Sequence, residues 1–303
     1  MRDHGGGLAA ARARWGGAAD DWLDLSTGIN PVPYPLPDLS PRDWQALPDT
    51  DAFAALEAAA RRFWDVPDAA TVLAAPGASA LIAKLPMLAP PGPVRIPGPT
   101  YNEHAAAFRA HGIAEGQGDG LVVVHPNNPD GALRTEAAPF TVIDESFCDV
   151  VPQATRIAET ATPGRIVLRS FGKFWGLAGL RLGFAIGHPD TLGPLAEAIG
   201  PWAVSGPALR IGARALSDPD WATATRARLS RDAARLDSLM APHGALVGGT
   251  DLFRLWSVPD ASAFAERMGR ARILVRTFPY SATWVRLGLP APDRWGQLEA
   301  ALC

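Results

Sequence analysis

RSFGKFWGLAGLRLGF, Arg169 to Phe184, holds one of only two lysines in a chain of 303 residues. The other is Lys84; the remaining 26 basic residues are arginines. Arginine keeps its proton near neutral pH, whereas a desolvated lysine can lose it and act as a nucleophile. One lysine in a glycine-rich turn is also compatible with plain surface charge. The neighbouring segments separate the two readings. RIVLRS (165–170) runs into the turn, and LGFAIG (182–187) leaves it. Both are short apolar runs bounded by turn residues, the pattern of strands buried on both faces.

The same pattern extends in both directions. TVLAA (71–75), VRI (94–96), LVVVH (121–125) and TVIDESF (141–147) read as further strands. AFAALEAAARRFW (52–64), ALIAKLPML (80–88) and the region near 101–111 read as helices between them. Strand alternating with helix predicts an α/β fold around a mostly parallel sheet. The pattern changes near residue 190. A mostly helical stretch runs on to Met240, and then ALVGG, LFRLW, ILVRTF and TWVRLGL read as strands, with helices at 261–270 and 293–302. This predicts a smaller C-terminal α+β domain. The first 45 residues are rich in Gly and Pro and read as an extended arm without a core of its own; four prolines crowd Leu23–Pro37 and leave little room for helix. The expected division is an arm (1–45) packing on the small domain, a large domain (46–205) and a small domain (206–303).

The bulk numbers bound the function. A hydrophobic fraction of 48%, a charged fraction of 19% and a net charge of −3 describe a globular protein with no electrostatic case for nucleic acid or a membrane surface. Two cysteines, Cys148 and Cys303, make neither a disulfide framework nor a metal-ligand set, so no metal is expected and a reducing compartment is. The start has no apolar signal region, and no stretch reaches the roughly 18–20 apolar residues that span a bilayer. The cytoplasm is the expected location.

Three segments carry candidate chemistry. In LAAPGASALIAK (73–84), a strand turns at Gly77 into a helix beginning near Ala78–Ser79; helix N-termini bind phosphate, but Gly and Ser are also ordinary helix-entry residues. Asp144 sits at the C-terminal end of a buried strand, where open α/β sheets bind ligands, although an N-cap or internal ion pair would also account for it. HPNNPDGAL (125–133) is a turn by composition alone. Lys173 follows Asp144 by 29 positions, with Ser170 three before it and Arg181 eight after. A lysine able to form a Schiff base, a carboxylate for a pyridinium nitrogen, and Ser and Arg for a phosphate are together what pyridoxal phosphate requires.

The motif SxxKxxGLxGxRxG resembles that of the fold-type-I, class I/II aminotransferase superfamily, and the order of segments matches over nearly the whole chain. Within it, the resemblance is to the threonine-phosphate decarboxylases of cobalamin biosynthesis. HGGG (4–7) and DLSTGINPVP (24–33) are similar to that family's HGG…DFSANINP, GPWAVSGPA (200–208) to its MPWSVNALA, and RILVRTFPY with WVRLGL to its C-terminal arginine pair. Histidinol-phosphate aminotransferases share the core without the HGG arm. The resemblance implies that Lys173 binds the cofactor, Asp144 keeps the ring nitrogen protonated, and Tyr101 stacks on the ring. Ala78, Ser79, Ser170 and Arg181 would hold its phosphate, with Asn128 beside the ring hydroxyl and substrate. His4, Gly5, Asn30, Arg276 and Arg286 would contact a small phosphorylated amino acid. A homodimer is also implied.

The chain departs from the family at several points. Gly172 stands where relatives have Ser or Thr, and Leu47 where many have a Tyr that reaches the partner's cofactor phosphate. Missing both hydroxyls, at about 1 kcal/mol each, weakens cofactor binding without removing the chemistry. NNPTG is here NNPDG, Phe147 replaces a ring-bonding Tyr, and the segment from Gly131 to Val142 is short for the usual helix. The implied activity is decarboxylation of L-threonine O-3-phosphate to (R)-1-aminopropan-2-ol O-2-phosphate. The alternatives are an aminotransferase of the histidinol-phosphate type and a catalytically idle partner protein on the same fold.

Overall fold

The computed structural model describes residues 4–303. The N-terminal stretch holds α1 (Leu8–Trp15), β1 (Leu23–Asp24) and α2 (Pro41–Gln45). Then follow α3 (Thr50–Trp64), β2 (Thr71–Ala75), α4 (Ala78–Lys84), β3 (Val94–Arg95), α5 (Asn102–Ala110), β4 (Gly120–Val124), β5 (Phe140–Asp144), β6 (Arg165–Ser170) and β7 (Gly183–Gly187). Three helices come next: α6 (Pro189–Ile199), α7 (Gly206–Leu216) and α8 (Pro219–Met240). The C-terminal part adds β8 (Ala245–Thr250), β9 (Phe253–Ser257), α9 (Ala261–Arg270), β10 (Ile273–Leu274), β11 (Arg276–Phe278), β12 (Ser281–Gly288) and α10 (Trp295–Leu302). No described helix is long and apolar enough to cross a membrane.

The chain folds into two compact units. The larger comprises Pro33–Asn128 and Leu133–Thr223. Its six-stranded sheet has the order β2-β7-β6-β5-β4-β3; β3 to β6 run parallel, and β7 is antiparallel to both neighbours. Every residue of β4, β5 and β7 is buried, Thr141 and Asp144 of β5 included. Val122, Val142, Ile166, Leu168 and Ala185 make the centre of one core face against Leu81, Leu85 and Phe108 of the flanking helices. Helix α3 starts where Asp49 accepts the Ala52 N–H at 3.0 Å and stops at Asp65, in the left-handed region (φ 52°). It packs Leu56, Ala59, Ala60 and Trp64 on one side, and α7 lies against it. Helix α2 also packs on α7, and Tyr34 N–H bonds Trp175 O. These contacts put residues 33–45 and 206–223 in the larger unit, whereas the composition shifts had suggested edges at 45/46 and 205/206. The 131–139 stretch contains no helix.

The smaller unit joins the N-terminal stretch through Val32, Pro129–Ala132 and Ala224–Cys303. It is built on an antiparallel sheet of order β11-β12-β9-β8, cored by Phe253, Leu255, Val285 and Leu287 with Met268 of α9 and Leu298 of α10. β1 pairs in parallel with β10, Leu23 opposite Ile273 and Asp24 opposite Leu274. The N-terminal stretch is not wholly extended: LAAARARW is composed of good helix formers and makes α1, closed on each side by glycine.

Candidate active site

In the larger unit the parallel strands β4, β5 and β6 end at a common edge, with Asp144 the last residue of β5 and Ser170 the last of β6. Asp144 is buried, and both carboxylate oxygens are engaged. Oδ2 lies 2.8 Å from His104 Nε2; Oδ1 accepts from the Ser146 N–H at 3.0 Å and the Ser146 hydroxyl at 2.5 Å. Burial pushes this carboxyl up, but the His104 bond and charge and the two Ser146 bonds outweigh it, so it is held below its ordinary range. Asp144 is therefore a stable buried anion. His104, in the first turn of α5, is fully buried, and among the described residues its Nδ1 meets no hydrogen-bond partner. Its ring meets Tyr101 edge-on at 6.1 Å, giving a continuous line from Tyr101 through His104 to Asp144.

Asn127, also buried, accepts from the Thr100 hydroxyl at 2.6 Å and donates to Pro99 O at 3.1 Å. It ties the loop that carries Tyr101 to the loop that carries Asn128. Lys173 lies in the turn after β6, where Gly172 N–H bonds Ser170 Oγ and Gly176 N–H bonds Lys173 O. Its Nζ is 5.3 Å from the ring centre of Phe147, three residues beyond Asp144. Lys173 Nζ thus lies against the segment that directly follows Asp144.

Ser170, Gly183 and Ala75 form one row across β6, β7 and β2. A Cβ on Gly183 would collide with Ala78 N, so glycine here lets the start of α4 reach the strand row. Arg181 Nη2 donates to Ser79 Oγ at 2.9 Å, and a Cβ on Gly77 (φ +88°) would come within 2.5 Å of that nitrogen. The first N–H groups of α4, Ser79, Ser170 and Arg181 therefore form one donor cluster, the chemistry of a phosphate cradle. With a buried carboxylate for a ring nitrogen and a lysine beside it, the residues fit pyridoxal phosphate.

The smaller unit contains a second cluster. Arg276 and Arg286 are register partners on β11 and β12. Arg286 is 4% exposed, donates to Ser26 O at 2.6 Å and lies 5.0 Å from the Phe253 ring. Burial first, then the Arg276 charge, lower its pKa to about 10, against opposing effects of Tyr280 and Asp24. Two guanidinium groups this close, one of them desolvated, favour an anionic ligand. Gly6 N–H donates to Ser26 Oγ at 2.7 Å, and Gly5 lies on the Ser26 carbonyl, which brings exposed His4 to the same corner. Asn30 is buried; its Oδ1 accepts from Arg228 Nη2 at 2.6 Å and from Val32 N–H at 3.1 Å, and Arg228 in turn pairs with Asp232.

Sequence reasoning missed His104, Asn127, Ser26 and Arg228. His104 carried a signal, since it follows Tyr101 by three positions at the start of a helix. Arg228 carried none.

The model for aminotransferase class I and II matches residues 20–115 and 113–294. The chain is 42% identical to a threonine-phosphate decarboxylase of Sinorhizobium sp., over 98% of this chain and 96% of the relative. It is 40% identical to a threonine-phosphate decarboxylase of Pseudomonas aeruginosa, over 100% and 97%. Its fold matches the histidinol-phosphate aminotransferase of Sinorhizobium meliloti, solved in complex with pyridoxal-5'-phosphate, at a TM-score of 0.81 and 17% identity, over 97% of this chain and 93% of that one. A lysine turn, a buried aspartate and a phosphate-type cradle, on a chain matched from residue 20 to 294, place this protein in the aminotransferase class I and II family.

Proposed function

We propose that the chain is a pyridoxal-phosphate-dependent decarboxylase that converts L-threonine O-3-phosphate to (R)-1-aminopropan-2-ol O-2-phosphate and CO2, a step of cobalamin biosynthesis. The observation that carries this is the 40–42% identity, over essentially the full length, to two relatives of that name. The arginine pair supports it independently, because a doubly charged phosphate suits two close guanidinium groups.

Lys173, Asp144, Tyr101, Asn128, Ala78, Ser79, Ser170 and Arg181 are the residues that would hold the cofactor. When bound, it supplies the sink for the electron pair left at Cα as CO2 departs. The protein residues do the rest. Asp144, held anionic by His104 and Ser146, keeps the ring nitrogen protonated. Arg276 and Arg286, with His4 and Asn30, bind the substrate phosphate and so leave its carboxylate unclamped. Lys173 Nζ then delivers a proton to Cα.

A homodimer belongs to the same reading. Leu36, Trp44, Leu47 and Trp202 are each more than half exposed, an apolar surface that a second copy would cover. The test of function follows CO2 and keto acid side by side from threonine phosphate. CO2 without keto acid supports the proposal; keto acid with transfer of the amino group makes the enzyme an aminotransferase.

A further inference from the structure

A buried ion network lies among the strand ends that carry the cofactor residues. Its centre is Asp149, 3% exposed, in the short turn Cys148–Val150 after β5. One carboxylate takes three donors: Trp64 Nε1 at 2.9 Å, Trp175 Nε1 at 3.1 Å and Arg169 Nη1 at 3.1 Å. Arg169 is itself buried, and its Nη2 lies 2.7 Å from Glu145 Oε2 and from Thr155 Oγ1. Glu145 also accepts the Arg156 N–H. His125, Glu145 and Cys148 lie close enough to share a metal ion, but their ligand atoms are already engaged. His125 Nδ1 accepts the Arg134 N–H, so Nε2 carries the proton and donates to Ala154 O. The Cys148 thiol donates to Val151 O.

The members of this network border the cofactor residues along the chain. Glu145 follows Asp144, Arg169 precedes Ser170, and Trp175 comes two residues after Lys173. Side chains alternate along a strand, so Asp144 faces His104 while Glu145 faces the ion network. Trp175 is fully buried, its ring stacked between Phe171 at 5.1 Å and Trp221 at 5.3 Å. The stacking fixes the plane of the indole, Tyr34, Phe63 and Phe174 pack around the ring, and the bond to Asp149 adds a directional polar restraint on its rotation within that plane. A buried charged cluster costs desolvation that well-packed apolar residues avoid, so it is weakly explained by stability alone.

We propose that Asp149 is a positioning residue of the cofactor site, one that sets Lys173 by holding the Trp175 indole while its partner Arg169 holds the end of β6. The inference rests on the cofactor reading above, and the test separates the two. Trp175→Phe and Trp64→Phe each remove one N–H from the same carboxylate and keep an aromatic ring. Only Trp175 belongs to the lysine turn. The holoenzymes are compared by visible circular dichroism of the lysine-bound cofactor, cofactor dissociation constant, kcat and KM, and Tm. Trp175→Phe is expected to change the dichroic band, weaken cofactor binding about tenfold and lower kcat about tenfold with KM little changed, the order expected for one lost bond to a charged group. Trp64→Phe, with a comparable drop in Tm, is expected to leave the band and kcat within about twofold of wild type. Equal effects of the two variants, or effects in both that follow Tm alone, overturn the proposal. Should Trp175→Phe fail to fold, Asp149→Asn tests the same bond: an unchanged band and cofactor affinity overturn the proposal, and a changed band supports it. A wild-type protein that takes up no cofactor defeats the underlying cofactor reading instead.

Discussion

Replacing Arg286 with lysine tests the proposed phosphate-reading role and puts a titratable amine in the place of a guanidinium. The surroundings of Arg286, burial first and the Arg276 charge second, bring even a guanidinium down to about 10. A lysine starts near 10.4, and the same burial and neighbouring charge lower the pH at which it sheds its proton. Below that pH Arg286→Lys keeps its charge but loses the planar fork that reaches both Ser26 O and an anion. One lost charge-assisted contact is worth about 1.5–3 kcal/mol. The expected loss in kcat/KM for threonine phosphate at neutral pH is therefore roughly ten- to over a hundredfold. The sign above that pH follows from the proton: the ammonium binds phosphate and the neutral amine does not. The variant loses a further factor of about ten per pH unit above that pH, whereas wild type holds level until about 10. The assay is the kcat/KM ratio of L-threonine O-3-phosphate to L-threonine from about pH 7 to 9.5, in which pH effects common to both substrates cancel. A ratio that stays level with pH in Arg286→Lys, or equals the wild-type ratio throughout, refutes the phosphate-reading role.

Three further outcomes follow from other parts of the structure. His104→Ala removes the partner that holds Asp144 down; because the anion is lost as pH falls through the folded pKa, the acid limb of kcat is expected to move to higher pH, with a drop of roughly ten- to a hundredfold at neutral pH. Gly172→Ser has room, since a Cβ there meets Ala178 and Ser170 at 3.5 Å, an ordinary contact; it is expected to tighten pyridoxal phosphate several-fold, at about 1 kcal/mol for one hydroxyl, by fluorescence titration. Trp44→Lys with Leu47→Glu places charge on two exposed apolar sites and is expected to give a monomer by light scattering at micromolar concentration, where the proposed wild-type dimer is expected to persist.

The strand–helix alternation was readable because strands buried on both faces are continuous apolar runs, and β6 and β7 fall where those runs do. Lys173, Asp144 and Arg181 were readable because their residue types are rare or costly at such positions. The supporting residues were not, because their partners lie far along the chain: His104 meets Asp144 across 40 positions, and Arg228 meets Asn30 across 198. Asp149 reads as an ordinary turn aspartate until Trp64, Arg169 and Trp175 are folded onto it. The edges of the two compact units differ from the division expected at 45/46 and 205/206 because α2 and α7 are held by packing on one another and, for α7, on α3. The first edge, at 32/33, falls inside the proline cluster 31–37, whereas the second, at 223/224, falls inside α8 and carries no such mark.

The central claim is that a carboxylate leaves Cα and a proton replaces it, with the amine and the phosphate ester kept. Proton and phosphorus NMR of the products formed from L-threonine O-3-phosphate in D2O, by holoenzyme, reads all of these at once. The account predicts one phosphorylated amino alcohol carrying a single deuterium on the carbon that bore the carboxylate, matched by equal CO2. A phosphorylated keto acid, or inorganic phosphate released with loss of the amine, contradicts it.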